Sequence, residues 1–202
     1  MAQQETGLIT IFTRALDARA AEMARRADTI PTNGSDRRLL ADLITNHAMH
    51  WTLIEFKDAA AGIDAEREKA VVPGVCAWLA ADNANAKAHE RCHFYAQNEA
   101  CDIGFWGYRS VVCSRSPLPR MPDAWSEDFI QRLLAEPPNV GLENADFLDY
   151  AQALLAHTNG GGDGSDVVLV VARARGSCHH FTLSLPELVS ALVPSAGPSM
   201  KF

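Results

Sequence analysis

Two hydrophobic periodicities alternate in the first third of the chain. Over residues 4–28, apolar side chains recur at near-helical spacing and charged side chains occupy the other face, which predicts one long amphipathic helix. Residues 38–45 and 50–57 are rich in strand-forming residues, and the polar segment 46–49 between them has a length suited to a hairpin. The pattern therefore predicts a helix followed by two antiparallel strands.

The rest of the chain alternates between helical and extended patterns. A helical pattern runs from Ile63 to about Gln97, and Pro73 with Gly74 divides it into two helices. Further on, the sequence predicts strands at 102–113, 166–175 and 179–185, helices at 125–136, 143–157 and from Pro186 onward, and a glycine-rich loop at 159–166. This order of elements is typical of an α/β (α+β) fold with a mixed β-sheet flanked by helices, in a single domain of 202 residues.

The charge balance narrows the range of partners. The 18 Lys and Arg are outnumbered by 25 Asp and Glu, so the net charge is −7. Because phosphate contacts need a surplus of positive charge on some face, we expect no binding of nucleic acid by bulk attraction alone. The candidate basic patches are Arg25, Arg26, Arg37 and Arg38 near the start, and Arg109, Arg115 and Arg120 in the middle.

The start of the chain lacks the features of a membrane or export segment. Its apolar stretch is interrupted by Arg14, Asp17 and Arg19, and the sequence contains no apolar run long enough to span a bilayer. We therefore expect a cytoplasmic protein that has no membrane partner.

The number and spacing of the cysteines predict that their thiols are reduced. There are five of them, an odd number, and they show no dense disulfide pattern. A zinc site is the alternative, because His89 and His93 share a helical face and Cys101 and Cys113 follow them. A cysteine–histidine hydrolase is disfavoured, because adjacent residues such as those at 178 and 179 point to opposite faces of a strand.

Two opposite charges end the most strand-like segment of the first third. Glu55 and Lys57 lie on one face of that predicted strand, because side chains alternate with a period of two. Across the hairpin, Asp42 falls opposite a residue between Leu53 and Glu55. Such a cluster suits metal-assisted hydrolysis of a phosphodiester. The carboxylates would hold Mg²⁺ or Mn²⁺, and the lysine would orient the attacking water or offset developing charge.

This arrangement resembles the core of the PD-(D/E)xK nuclease superfamily, with Asp42, Glu55 and Lys57 at the motif positions. The resemblance implies a restriction-endonuclease-like α-β-β-β-α-β core at about residues 4–113, followed by a helical and β-hairpin extension at 114–202. It also implies dependence on Mg²⁺ or Mn²⁺, with Asp42 and Glu55 as metal ligands and Lys57 beside the attacking water.

Many members of the superfamily carry a further glutamate at the site, on the first helix. Glu22 is the better placed candidate for this third metal ligand, and Glu5 is the other. Ala41 stands where the motif has a proline, and the first of the three expected strands is not evident between the first helix and Leu39.

The function expected from the resemblance is metal-dependent cleavage of DNA or RNA. The chain would act alone or as a subunit of a prokaryotic antiviral defence or nucleic-acid-processing assembly. Because the chain is acidic, a protein partner or a second copy would help to hold the nucleic acid. The alternative is a non-catalytic interaction or inhibitor protein, with a degenerate nuclease-like fold whose acidic surface binds a protein partner.

Overall fold

A computed structural model describes residues 2–32, 39–59, 62–99, 101–114, 116–158, 167–174 and 177–184, with side chains from residue 5 to residue 158. The helices are α1 (Ala2–Glu22), α2 (Gly62–Arg67), α3 (Val72–Ala81), α4 (Asn83–Cys92), α5 (Ser126–Leu133) and α6 (Asn144–Thr158), with a π-helix at Arg109–Cys113. The strands are β1 (Ala27–Pro31), β2 (Leu43–His47), β3 (His50–Lys57), β4 (His93–Glu99), β5 (Asp102–Gly107), β6 (Ala124–Trp125), β7 (Leu142–Glu143), β8 (Val167–Ala174) and β9 (Ser177–Ser184).

Within these residues, seven strands form one mixed sheet in the order β1-β2-β3-β4-β5-β6, and β7 pairs with the start of β3. Neighbouring strands are antiparallel except for β3 and β4, which run parallel with Glu55 beside Tyr95 and Lys57 beside Gln97. Strands β8 and β9 pair with each other as a separate two-stranded sheet. The predicted fold class, a mixed sheet flanked by helices, is confirmed.

The sheet has an apolar core on each face. On one face, α1 and α5 pack against Ile54 and Phe56, and Phe12 of α1 lies 5.7 Å from Phe56 between ring centroids. On the other face, α3, α4 and α6 cover Trp51 and Leu53. We expect truncation of a fully buried aromatic such as Phe12 to alanine to cost about 3–5 kcal/mol. Since β3 is buried on both faces, charged side chains on it stay only where other groups compensate them.

The β2–β3 hairpin is tighter than predicted. Strand β2 begins at Leu43 rather than at residue 38, and the turn consists of Ala48 and Met49 alone. Both turn residues have positive φ, 47° and 64°, which is the conformation of a two-residue type I′ turn. Neither Ala nor Met is typical of that turn, so the sequence predicted a turn within residues 46–49 but not its two-residue form.

Helix α1 ends earlier than the predicted boundary at residue 28. Ala24 adopts a left-handed conformation with φ of 52°, and the Arg25 N–H donates to the Ala20 carbonyl at 2.8 Å, which closes the helix. Strand β1 follows at Ala27–Pro31 and supplies the strand that was not evident in the sequence. Because alanine rather than glycine occupies the left-handed position, the usual stop signal is missing.

Two further predictions were wrong. The helical pattern assigned up to Gln97 ends at Cys92, and His93–Glu99 forms β4, which is central and paired on both sides. The strand predicted at 102–113 ends at Gly107, and the π-helix takes the remaining residues. Burial between β3 and β5 overrides the helical pattern of β4.

The C-terminal part of the chain contributes to the same sheet. Strands β6 and β7 both come from the predicted extension, and α6 matches the helix predicted at 143–157 closely. The glycine-rich loop at 159–166 and the helix predicted from Pro186 lie outside the described residues. In the described part of the chain, no helix combines the length and the hydropathy that a membrane crossing requires.

Candidate active site at the end of the β2–β3 hairpin

Asp42 is held at the open end of the β2–β3 hairpin. Its backbone N–H donates to the Ile54 carbonyl at 2.9 Å, and its Oδ2 accepts a hydrogen bond from the Phe56 backbone N–H at 2.7 Å. Leu43 pairs with Ile54, so the next position along the ladder sets Asp42 opposite Glu55. The structure thus brings these two predicted residues together at neighbouring strand positions.

Glu55 and Lys57 project from the same face of β3, as their alternation predicted. Glu55 is fully buried, and the Lys57 ammonium donates to Glu55 Oε1 and to the Phe56 carbonyl, the latter at 3.1 Å. Lys57 is therefore fixed against the carboxylate rather than extended into solvent.

A second acid–lysine pair, which sequence reasoning missed, completes the cluster. Lys69 Nζ lies 2.9 Å from Glu55 Oε1 and 2.7 Å from Glu66 Oε2. Glu66 is fully buried, and its Oε1 accepts a hydrogen bond from the Tyr108 hydroxyl at 2.7 Å. The only local signal was a glutamate and a lysine three residues apart, which is common on exposed helices.

The first helix contributes Glu5 to the cluster. Glu5 Oε1 lies 3.7 Å from Lys57 Nζ, whereas Glu22 pairs with Arg19 at the other end of α1 with a side chain that is 64% exposed. Seventeen residues of helix separate the two glutamates by about 25 Å. The structure does not bring Glu22, the metal ligand preferred from the sequence, to the site.

Burial and mutual repulsion perturb the acids of the cluster. Burial, followed by the Glu55 charge, raises the pKa of Asp42 to about 7. The same two causes raise the pKa of Glu66 to about 8. Burial of Glu55 opposes its ionisation, but a hydrogen bond with Glu66 and the charges of Lys57 and Lys69 lower the pKa of Glu55 overall. Near neutral pH, Glu55 is thus ionised, Asp42 is about half ionised and Glu66 is mostly protonated.

The pKa of Lys57 is shifted in the direction that favours its charged form. Burial disfavours its charged form, but the Glu55 and Asp42 charges outweigh burial and raise the pKa of Lys57 above its usual value. Lys57 therefore stays protonated, so it serves as a hydrogen-bond donor and a positive charge and not as a base.

The Glu55 carboxylate is held in place by its neighbours. Its Oε1 is oriented by Lys57 and Lys69, while its buried Oε2 has no hydrogen-bond partner as long as both glutamates are ionised. When Glu66 is protonated, the two carboxyl groups share a hydrogen bond. Carboxylates that bind metals are usually hydrogen-bonded to other groups, as Glu55 is through Oε1.

The donor set fits a hard divalent cation. Asp42, which precedes β2, and Glu55 of β3 supply carboxylate oxygens, and Mg²⁺ is commonly held by one or two carboxylates with several waters retained. Within the described residues, no three His, Cys, Asp or Glu side chains are grouped as a metal site by themselves. Water and substrate oxygens would therefore have to complete the coordination of an ion held there.

The zinc alternative is contradicted. Cys113 forms a disulfide with Cys76 and Cys101 is exposed, so neither joins the two histidines. His89 and His93 are buried, and their Nδ1 atoms lie 2.6 Å and 3.0 Å from the hydroxyl of a shared tyrosine, Tyr150. The disulfide also corrects the expectation that all five cysteines are reduced.

The predicted basic patches are largely neutralised where the structure describes them. Arg25 pairs with Glu136 at 3.1 Å, Arg26 with Asp28 at 2.9 Å and Arg109 with Glu90 at 2.7 Å. Arg120 is exposed, and Arg37, Arg38 and Arg115 lie outside the described residues. These pairs offset the charge of three of the seven arginines in the predicted patches.

No family model, no curated protein and no solved structure matches this chain. The function is therefore inferred from the geometry and the chemistry of the cluster formed by Asp42, Glu55, Lys57, Glu66 and Lys69.

Proposed function

We propose that the chain is a metal-dependent nuclease that hydrolyses a phosphodiester bond of DNA or RNA with Asp42, Glu55 and Lys57. The observation that carries the proposal is the buried, ionised Glu55 carboxylate, which lies opposite Asp42 across the hairpin and accepts a hydrogen bond from a protonated lysine on Oε1. The order α1-β1-β2-β3, helices and β4, with β3 and β4 parallel, also agrees with the core that the PD-(D/E)xK resemblance implies.

Asp42 and Glu55 are the residues that would hold Mg²⁺ or Mn²⁺, and the bound ion would polarise the phosphate and lower the pKa of a water. Lys57 donates a hydrogen bond toward the attacking water or toward charge that develops on the phosphate. The water oxygen bonds to phosphorus as one ester P–O bond breaks, which leaves a phosphomonoester and a hydroxyl end.

The surrounding residues act by orienting these groups. Lys69 holds Glu55 Oε1 at 2.9 Å, and Glu5 lies 3.7 Å from the Lys57 ammonium as the acid from the first helix. Because the net charge is −7 and three arginines of the predicted patches are paired with acids, we propose that a protein partner or a second copy contributes to nucleic-acid binding, as in a defence or processing assembly.

The test is cleavage of plasmid DNA and of RNA in Mg²⁺ and in Mn²⁺. We expect Lys57→Ala to lower the rate by about 100-fold or more, because it removes a buried donor from the reacting centre. Lys87→Ala is the matched control, since Lys87 is an exposed lysine on α4. Unfolding curves of both variants show whether each is folded. Equal cleavage by the wild type and Lys57→Ala would refute the catalytic assignment.

One observation favours the second candidate, a non-catalytic interaction or inhibitor protein with a degenerate nuclease-like fold. Lys57 and Lys69 already compensate Glu55 and Glu66, so the cluster is balanced without an ion. This candidate predicts no heat of Mn²⁺ binding in a calorimetric titration and a protein partner that copurifies. The nuclease predicts Mn²⁺ binding that is lost in Asp42→Asn.

A further inference from the structure

The Cys76–Cys113 disulfide lies where a small thiol can reach it. Cys76 belongs to α3 and Cys113 is the last residue of the π-helix, and their Cα atoms are 5.4 Å apart. Both cysteines are half-buried and line a surface cavity of about 560 Å³. Ser110 and Ser114, also on its wall, are exposed, so the cavity opens to solvent beside the bond.

The residue that precedes the same π-helix contacts Glu66, the acid beside Glu55. Tyr108 immediately precedes the π-helix, and its hydroxyl donates to Glu66 Oε1 at 2.7 Å. The neighbouring Arg67 donates from Nη2 and Nε to the Val111 carbonyl at 2.6 Å and 3.2 Å. Two consecutive residues of α2 are thus attached to a segment whose far end is the disulfide.

The π-helix depends on its surroundings for its shape. It has five residues, and a helix of that length is not stable by itself, least of all with the wide hydrogen-bonding pattern of a π-helix. Val111 and Val112 anchor its middle in the core, whereas Cys113 anchors its end covalently to α3. Loss of the covalent anchor should therefore loosen the segment without unfolding the core.

We propose that the Cys76–Cys113 disulfide is a thiol-reducible site whose redox state controls how firmly Tyr108 and Glu66 hold Glu55 in place for the metal. This inference rests on the proposed metal-dependent function for its consequence, but the linkage between the disulfide and Glu66 is a property of the fold. Tyr108 and Glu66 are positioning residues, since they act through Glu55.

The reductant is a dithiol. One of its thiolates attacks a cysteine sulfur, the S–S bond breaks, and the other cysteine leaves as a thiolate while a mixed disulfide forms. The second thiolate of the dithiol then attacks the mixed disulfide and releases the first cysteine. The two cysteines gain two electrons and two protons, and the dithiol becomes a cyclic disulfide.

The experiment uses the full chain with Cys101→Ser, which removes the exposed free thiol, and compares it oxidised and reduced by dithiothreitol. Mn²⁺ affinity is measured by calorimetry, and backbone hydrogen exchange is followed at residues 62–67 and 108–113. Upon reduction we expect faster exchange in both segments and Mn²⁺ binding weakened by about 10-fold, the scale of losing an outer partner of a metal ligand. Tyr108→Phe should bind Mn²⁺ equally in both redox states, because it lacks the hydroxyl that reaches Glu66.

The outcomes separate this inference from the proposed function. Mn²⁺ binding that is equal in the two redox states, or exchange that changes at 108–113 but not at 62–67, overturns the redox linkage and leaves the nuclease proposal intact. If neither state binds Mn²⁺, the metal-dependent function fails, and the exchange of residues 62–67 alone decides whether the disulfide acts on α2.

Discussion

The crowding of carboxylates at the hairpin end makes a quantitative prediction for Asp42→Asn in metal-free protein. Burial and the Glu55 charge raise the pKa of Asp42 from 3.8 to about 7. Between about pH 5 and pH 7, the folded protein keeps the proton that the unfolded chain has already released, so stability falls as pH rises. Each pH unit in this window costs about 1.4 kcal/mol, which amounts to about 3 kcal/mol over the two units.

Asparagine does not ionise, and its amide oxygen still accepts the Phe56 N–H bond. The free energy of unfolding should therefore fall by about 3 kcal/mol more in the wild type than in Asp42→Asn between about pH 5 and pH 8.5. The difference in unfolding free energy between the wild type and Asp42→Asn removes the contribution of Glu66, because the Asp42 charge is not among the causes of the raised pKa of Glu66.

The assay is urea unfolding in the presence of a chelator at several pH values. Asp17→Asn, at an exposed position on α1, corrects for the general effect of removing one negative charge. If the wild type and Asp42→Asn lose stability in parallel across the range, Asp42 is neither buried nor crowded by Glu55 as described, and a cation site between the two is contradicted.

Three further predictions follow from the same structure. The Cys76–Cys113 bond joins residues that are 37 apart in sequence, so Cys76→Ser should lower the free energy of unfolding in urea by up to about 4 kcal/mol, whereas Cys101→Ser should change it very little. Equal effects of the two substitutions would mean that the bond does not form in solution. Glu5→Gln should weaken Mn²⁺ binding and cleavage while Glu22→Gln changes neither, and the reverse result would restore the sequence-based choice. Burial lowers the pKa of His93 from 6.5 to about 4, so the stability that the neutral imidazole contributes above about pH 6.5 is lost as pH falls toward 4. His93→Gln should remove up to about 3 kcal/mol of this loss in the free energy of unfolding. An unchanged pH profile of unfolding would contradict a buried neutral imidazole.

The β2–β3 hairpin shows which features of the site the local sequence pattern determines. Strand β3 has the predicted bounds, and Glu55 and Lys57 share a face because alternation along a strand depends only on neighbouring residues. Asp42 came to the right place even though β2 was predicted five residues too early, because the strand partner of Glu55 is set by the tight turn between the strands. Local sequence therefore determined the three-residue core of the candidate site.

Elements whose form depends on distant partners were predicted poorly. Strand β4 has a helical pattern but is extended because β3 and β5 pair with both of its edges. Strand β1 was hidden because Ala24, not glycine, ends α1. For β4 the decisive contacts are many residues away in sequence, whereas β1 was missed because the local signal that usually ends a helix is absent.

The sequence by itself determined a mixed sheet with flanking helices and the convergence of Asp42, Glu55 and Lys57. Tertiary structure alone decided that Glu5 rather than Glu22 reaches this cluster, because which end of a long helix meets the sheet edge depends on how the helix packs. It also decided that Glu66 and Lys69 surround Glu55. Local spacing sets which face of an element a charge occupies, whereas only packing between elements sets which charges meet.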